Sequence, residues 1–508
     1  MRRKSSVNTP STSAANCSPP MSPQTARVPR RIGSSVKINV IIATALLGWG
    51  LWSLTAGAQT LQGYDWAAGP PDGGTDGATS MTMFMASHRF QRHSVVTSDG
   101  AIHIVVNKGI NGTMYTGALQ IYTSIDNGTT WTKTHEFPGT STYQTSTGAV
   151  STDDVYLVTA TGEGGTQYQY LEVAYDRDAA SGDEAGLLYT ELLYQSSPSP
   201  SWTTITGYPQ VVAQSDTTTY QQPAFARDAN GDIWLADLEL TSTAGLGTGQ
   251  IMVYERVTGT WSTGITITNP TSYIEHAPRP VYVPSTTTAD IGLIFQSDNC
   301  LYWVTIKGTT VSSPAQELSS YSNGTENNMQ PTCNMPTSQN LWNDTAASVA
   351  TNPLTGDQYL GFVIQYPSGM STTAVYALTF EASTATWLTS SGQLLTGNQS
   401  PASSVYVKST LQEVTVGGTA TYPNAYMFIN DAPGLDFSSS QTLPTVSTTS
   451  YAFVDYLDPN PNPRIEAPEY IPYYGALLST VPVWEQYTSN TSVTPETESL
   501  IYWIDVPN

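Results

Sequence analysis

His93-Ser94-Val95-Val96-Thr97-Ser98-Asp99-Gly100-Ala101-Ile102-His103-Ile104-Val105 reads as a strand, a tight turn and a second strand. Apolar residues alternate on both sides of an Asp-Gly pair, the pair that turns a hairpin most readily. Comparable openings begin near Thr147, Gln222, Arg279, Ala347, Ser404 and Glu469, at steps of 54, 75, 57, 68, 57 and 65 residues. The third repeats the first closely: Gln222-Pro223-Ala224-Phe225-Ala226 precedes Asn230-Gly231-Asp232-Ile233-Trp234-Leu235. A fixed period of this kind marks stacked supersecondary units.

A second landmark keeps register with the first. Trp131 lies 38 residues after His93, Trp261 lies 39 after Gln222, and Trp387 lies 40 after Ala347. Trp202 is the counterpart in the second unit, displaced by an insertion. A short four-stranded sheet cannot bury both faces alone, so such sheets stack radially, and an aromatic at each outer turn covers the sheet edge. The expectation is an all-β chain folded as a seven-bladed β-propeller of four-stranded antiparallel sheets. Six blades are the alternative, because the last two units are the least regular.

Composition agrees and narrows the partners. Of 508 residues, 18 are Lys or Arg and 40 are Asp or Glu, a formal charge of −22. Residues 1–58 hold seven cations and no acid, so the remainder carries 11 cations against 40 acids, a net of −29. Nucleic acid and anionic membrane surfaces repel such a body. Thirty Tyr and 12 Trp argue against disorder.

Residues 1–37 read as a basic, disordered leader. Residues 38–58 hold the apolar run Ile38 to Leu54 and then Thr55-Ala56-Gly57-Ala58, the layout of a secretory signal peptide cut before Gln59. An uncleaved membrane anchor is the competing reading. Residues 59–508 are expected to form a single propeller domain, monomeric and exported to the periplasm or the extracellular space, touching membrane only through an uncleaved N-terminal segment. Cys300 and Cys333 can bridge in an oxidising compartment, closing a loop worth ~3–4 kcal/mol in the chain-entropy model; two unpaired cysteines are the alternative. No metal is required, although the oxygen-rich Asp72-Gly73-Gly74-Thr75-Asp76 suits Ca²⁺.

Ser124-Ile125-Asp126-Asn127-Gly128-Thr129-Thr130-Trp131 resembles the Asp-box, Ser-x-Asp-x-Gly-x-Thr-Trp, of sialidases and other bacterial neuraminidase repeat proteins. The turns ending at Trp261 and Trp387 are degenerate copies. The resemblance implies a folding role for Ser124, Asp126, Gly128 and Trp131, on the outer side of a blade. It also implies a glycoside hydrolase acting on a terminal acidic sugar. Sialidases hold the substrate carboxylate through three arginines, whose planar forks donate paired hydrogen bonds. Arg92, Arg279 and Arg464 each stand at a strand opening here, and Phe90-Gln91-Arg92-His93 resembles the Phe-Arg-Ile-Pro start of that family. Glu275, next to His276 and close to Arg279, is the candidate acid, with His276 a catalytic candidate beside it, because glycosidic cleavage needs a proton donor for the leaving group.

A second resemblance gives a second chemistry. His88-Arg89-Phe90-Gln91-Arg92-His93 through His103, Thr219-Tyr220-Gln221-Gln222-Pro223 and Thr258-Gly259-Thr260-Trp261 resemble seven-bladed polysaccharide lyases. Such an enzyme removes the proton beside a uronate carboxylate with His or Tyr, casting His93, Tyr220 and His276 in those roles. Asp237-Leu238-Glu239 departs from that pattern, which tends to place an arginine there. His103, inside an alternating strand, reads as structural. A third class needs no chemistry: a propeller that binds a glycan or a protein without turning it over.

Overall fold

A computed structural model describes residues 67–68 and, apart from several connections, 91–505. The described elements are strands, with no α-helix among the described residues. They form seven sheets. The first runs through Ser94–Val96, Ile102–Gly109, Thr116–Ser124 and Thr132–Glu136, each strand antiparallel to the next. The next four sheets repeat this meander from opening strands Asp153–Thr161, Thr218–Arg227, Glu275–Tyr282 and Ala347–Thr351.

The last two sheets are built differently. In the sixth, the hairpin of Tyr406–Val416 and Thr419–Asn430 is flanked by parallel neighbours, Phe453–Tyr456 and Tyr470–Ile471. In the seventh, Ala67–Ala68 pairs with Glu496–Asp505, followed by Thr480–Ser489 and Arg464–Glu466. Sheet closure therefore joins the first described strand to the last.

Opening strands of successive sheets touch one another in chain order from the first sheet to the sixth. The opening strand of the first also meets Tyr470–Ile471, so the series returns to its start. This is the arrangement of a β-propeller, with opening strands innermost. Burial explains it. One apolar cluster lies between the first and second sheets, around Ile121, Leu171 and Trp202, and another between the third and fourth, around Trp234, Ile291 and Phe295. Strand Ile291–Ser297 is buried at every position. Its Ile291, Leu293 and Phe295 face the third sheet while Ile294 faces the fifth, the two-sided burial that stacking demands.

The opening hairpins turn alike. Gly100 and Gly231 both take positive φ, 83° and 88°, where an L side chain is strained. Thr97 N donates to Ala101 O at 3.0 Å, and Asp228 N to Asp232 O at 2.9 Å. At the outer turn of the first sheet, Asp126 accepts from Ser124 Oγ at 2.8 Å, Thr130 N at 2.8 Å and Thr130 Oγ1 at 2.6 Å. It staples that turn.

The tryptophan register holds in space. Trp131 directly precedes the fourth strand of the first sheet, while Trp202, Trp261 and Trp387 lie within the fourth strands of the second, third and fifth. Their burial differs: Trp202 and Trp387 are buried, but Trp131 and Trp261 are only half-buried. In the fourth sheet the corresponding strand is Thr310–Val311, and Trp303 supplies the aromatic from the strand before it. A Cβ on Gly292 would fall 1.9 Å from the Trp303 ring. Gly292→Ala is accordingly expected to lower stability by about 1–3 kcal/mol, the cost of overpacking, read from a urea midpoint. An unchanged midpoint would show that Trp303 can swing aside.

The leader, residues 38–58, Asp72, Asp76, Gly128 and Cys333 lie outside the described residues, and Cys300 is described only as the first residue of strand Cys300–Lys307.

Candidate functional site in the channel

The opening strands converge on one carboxylate. Asp154, near the start of the second opening strand, is fully buried. Arg92 donates to its Oδ1 through Nε at 2.9 Å and through the backbone N at 2.8 Å, and to its Oδ2 through Nη2 at 2.6 Å. Phe225 N donates to Oδ2 at 2.9 Å. Arg279 Nη1 reaches both oxygens, at 3.2 and 3.0 Å. Arg92 Nη2 also donates to Phe225 O at 2.7 Å, with its guanidinium 4.9 Å from the ring centroids of Tyr156 and Phe225. Four sheets thus meet at one ion cluster.

Local sequence sets this meeting. The third opening strand shifts register between Gln221 and Ala224, and the fourth between His276 and Arg279. Each shift spans a proline, Pro223 and Pro278, which lacks the N–H a ladder requires. Gln222 takes a φ of 63° at the first bulge, and Gln91 Nε2 donates to Pro223 O at 2.6 Å. The bulges re-aim Phe225 N and Arg279 toward the axis. Burial alone would push the Asp154 carboxyl up, but the charges and N–H groups of Arg92 and Arg279 outweigh it and hold it below the usual carboxylate range.

Beside the cluster lies a cavity of about 210 Å³, lined by Arg92, Tyr156, Arg227, Arg279, Tyr282, Thr351, Asn352, Thr355 and Gly356 among others. It sits where the third, fourth and fifth opening strands end, opposite the loops that lead into them. Arg227 pairs with the buried Glu172 and donates to Gly231 O at 2.6 Å. Gly356 takes a φ of 76°, and a Cβ there would meet the Tyr282 ring at 2.3 Å, so that ring rests directly on the turn. Asp228 also faces the cavity, with Asn230 N and Asp232 N donating to its Oδ1 at 2.8 and 3.0 Å. Behind the same turn, carboxylate oxygens of Asp228, Asp232 and Glu255 lie within 4.8 Å of one another.

Of the residues singled out from sequence, Arg92 and Arg279 come together. Both grip Asp154. His93 is buried next to Arg92, and Tyr220 packs between the second and third sheets with Tyr189 and Tyr254. Glu275 and His276 open the fourth sheet's first strand, in register with Ser297 and Gln296, and Arg464 pairs with Gln486; only the backbones of these three are described. Sequence reasoning missed Asp154, although it stands at a strand opening as Arg92 does. The second opening, near Thr147 by the sequence repeat, begins at Asp153 in the structure. Tyr156, Arg227, Tyr282 and Asn352 carry no motif and are assembled only by the turn geometry.

A second acidic group lies between the second and third sheets. Burial, Asp176 and Glu239 push the Asp237 carboxyl well above its usual range, and Gln221 N donates to Asp237 Oδ2 at 3.3 Å. Tyr254 OH donates to Glu239. His103 has the structural role read from its strand. Its Nε2 lies 2.9 Å from Thr97 Oγ1, its Nδ1 lies 2.8 Å from Thr123 Oγ1, and Trp202 Nε1 approaches Nδ1 at 3.1 Å. Burial pushes its pKa down to about 3, Asp99 opposing. The unfolded chain, near 6.5, binds a proton that the folded chain refuses, so stability should fall as pH drops from about 6.5 toward 3. NMR should show His103 neutral at pH 5; titration near 6.5 would contradict this environment.

No family model matches the chain, and no curated protein matches it. Solved structures with a similar chain path include three carbohydrate-active proteins. A GH93 α-L-arabinofuranosidase of Fusarium graminearum is 11% identical, over 87% of this chain and 97% of that one, with a TM-score of 0.40. The sialidase of Trypanosoma rangeli is 11% identical, over 88% of this chain and 59% of that one, with a TM-score of 0.38. A PL25 ulvan lyase is 12% identical over 43% of this chain, which spans 53% of that one, with a TM-score of 0.29.

Proposed function

We propose that the chain is an exported, carbohydrate-active propeller that takes one sugar unit, the end of a glycan, into the channel cavity. The observation that carries this is the cavity itself. Its volume of about 210 Å³ is smaller than the roughly 300–1,000 Å³ of pockets for drug-sized ligands, so it suits a single ring. Tyr156 and Tyr282 line it with aromatic surface for the apolar side of a sugar. Arg227, Asn352, Thr351 and Thr355 offer donors and acceptors for its hydroxyls.

Hydrolysis at the glycan end is the leading chemistry, as the sialidase resemblance implies, and elimination from a uronate glycan is the alternative. Tyr220 stands opposite Glu239 in register, two residues along the strand from the buried Asp237. Tyr220 is itself buried between the second and third sheets and does not line the cavity, which weighs against elimination by Tyr220. Incubation with sialosides, neutral oligosaccharides and uronate polysaccharides separates the chemistries. Released sugar indicates hydrolysis, an ultraviolet-absorbing unsaturated product indicates elimination, and binding without turnover leaves a lectin. Tyr282→Ala is expected to weaken glycan binding about tenfold, as loss of ~1.5 kcal/mol of aromatic burial would do. Unaltered affinity in that variant, or no glycan bound by the unaltered protein, would overturn the assignment.

A further inference from the structure

We propose that Asp154 is an internal ligand: it fills the channel's own carboxylate receptor, so the cavity beside it selects uncharged sugar rings over sialates and uronates. The proposal rests on reading that cavity as a sugar site, and it sets the substrate class there.

The receptor is complete without any guest. Each oxygen of Asp154 has three donors: Arg92 N, Arg92 Nε and Arg279 Nη1 on Oδ1, and Arg92 Nη2, Phe225 N and Arg279 Nη1 on Oδ2. These come from the first, third and fourth sheets, and the carboxylate from the second. An entering carboxylate could take the Arg92 fork and Arg279 Nη1 only by leaving a fully buried aspartate without them, and an unpaired buried charge costs more than a new surface-fed pair returns. The cations around the cavity are also balanced. Arg92 and Arg279 share Asp154, Arg227 has Glu172, and Asp228 adds a further acid to the wall. Three cations face three carboxylates, so no net positive field draws an anion inward. The chain as a whole carries −22, which adds long-range repulsion for polyuronates. N–H donors whose charges are balanced still serve hydroxyl oxygens.

Matched sugars that differ only in one carboxylate test the selection: glucose against glucuronate, and galactose against galacturonate, at fixed ionic strength. The neutral member should bind the full chain at least about tenfold more tightly, as an unpaired buried charge would impose on the acid. Tighter binding of the acidic members, weakened by Arg279→Lys, would overturn the proposal. Asp154→Ala tests the receptor without any sugar. It should lower the melting temperature, and formate should raise it again with concentration, whereas chloride at equal ionic strength should not. The same variant should gain affinity for the acidic members. A formate effect as large in the unaltered protein as in the variant would show that Asp154 does not fill the receptor. If the variant does not fold even in formate, the matched sugars decide. If no sugar binds the unaltered protein, the cavity assignment fails, while formate rescue still reports on the receptor.

Discussion

Arg92→Ala is expected to lower the free energy of unfolding by about 3–5 kcal/mol, the cost of removing one partner from a buried ion pair. The side chain is 6% exposed and its partner 0%, so solvent cannot take its place. Its loss strips three hydrogen bonds from the cluster, two to Asp154 and one to Phe225 O, and removes a cation from the rings of Tyr156 and Phe225. Arg279 alone then faces the Asp154 charge. The pH dependence should move with it. In the unaltered protein the folded carboxyl titrates below the unfolded one, so its contribution is fully present above about pH 4 and is lost as pH falls through the folded value. Without Arg92, burial weighs more heavily and the acid-side loss should begin at higher pH. Urea titrations across pH 3 to 7 measure both effects. A loss below about 1 kcal/mol, or an unshifted acid limb, would show that the cluster holds the opening strands together less than its geometry implies.

Trp387→Ala is expected to cost about 3–5 kcal/mol, the range for emptying a buried aromatic site. Trp387 is 5% exposed and closes the cluster between the fourth and fifth sheets, with ring centroids 5.5 Å from Trp303 and 5.3 Å from Phe380. Neighbouring rings cannot collapse into the space without leaving their own contacts. Trp131→Ala, at the equivalent outer position but half-buried, should cost less, ~1–2 kcal/mol. Paired denaturation curves decide. Equal costs for the two variants would mean that sequence register, not burial, measures what these tryptophans contribute.

The repeat was legible because each unit solves the same problem with the same residues. Asp99-Gly100 and Asn230-Gly231 place a glycine where φ must be positive, and the outer-turn tryptophans follow at nearly constant distance. Such signals are local, and backbone sterics and strand alternation act on them before any tertiary contact forms. Irregularity was legible too: the sixth and seventh units, the least regular in sequence, hold the parallel pairings and the closing strand. Arg92 and Arg279 were legible as channel residues for the same reason, since a residue at an opening strand must lie near the axis.

What they meet there was not. The order of residues along the chain specifies an all-β repeat of sheets with arginines at the strand openings, because turns, alternation and period are properties of neighbouring residues. Packing in three dimensions brings Arg92 and Arg279 onto the carboxylate of Asp154, 62 and 125 positions away along the chain, and sets the cavity at the exit end of the opening strands. The register shifts at Pro223 and Pro278 aim those groups, and the packing of four sheets against one another sets how far apart they stand. A charge acquires its partner through distance and burial in three dimensions, and neither is carried by spacing along the chain.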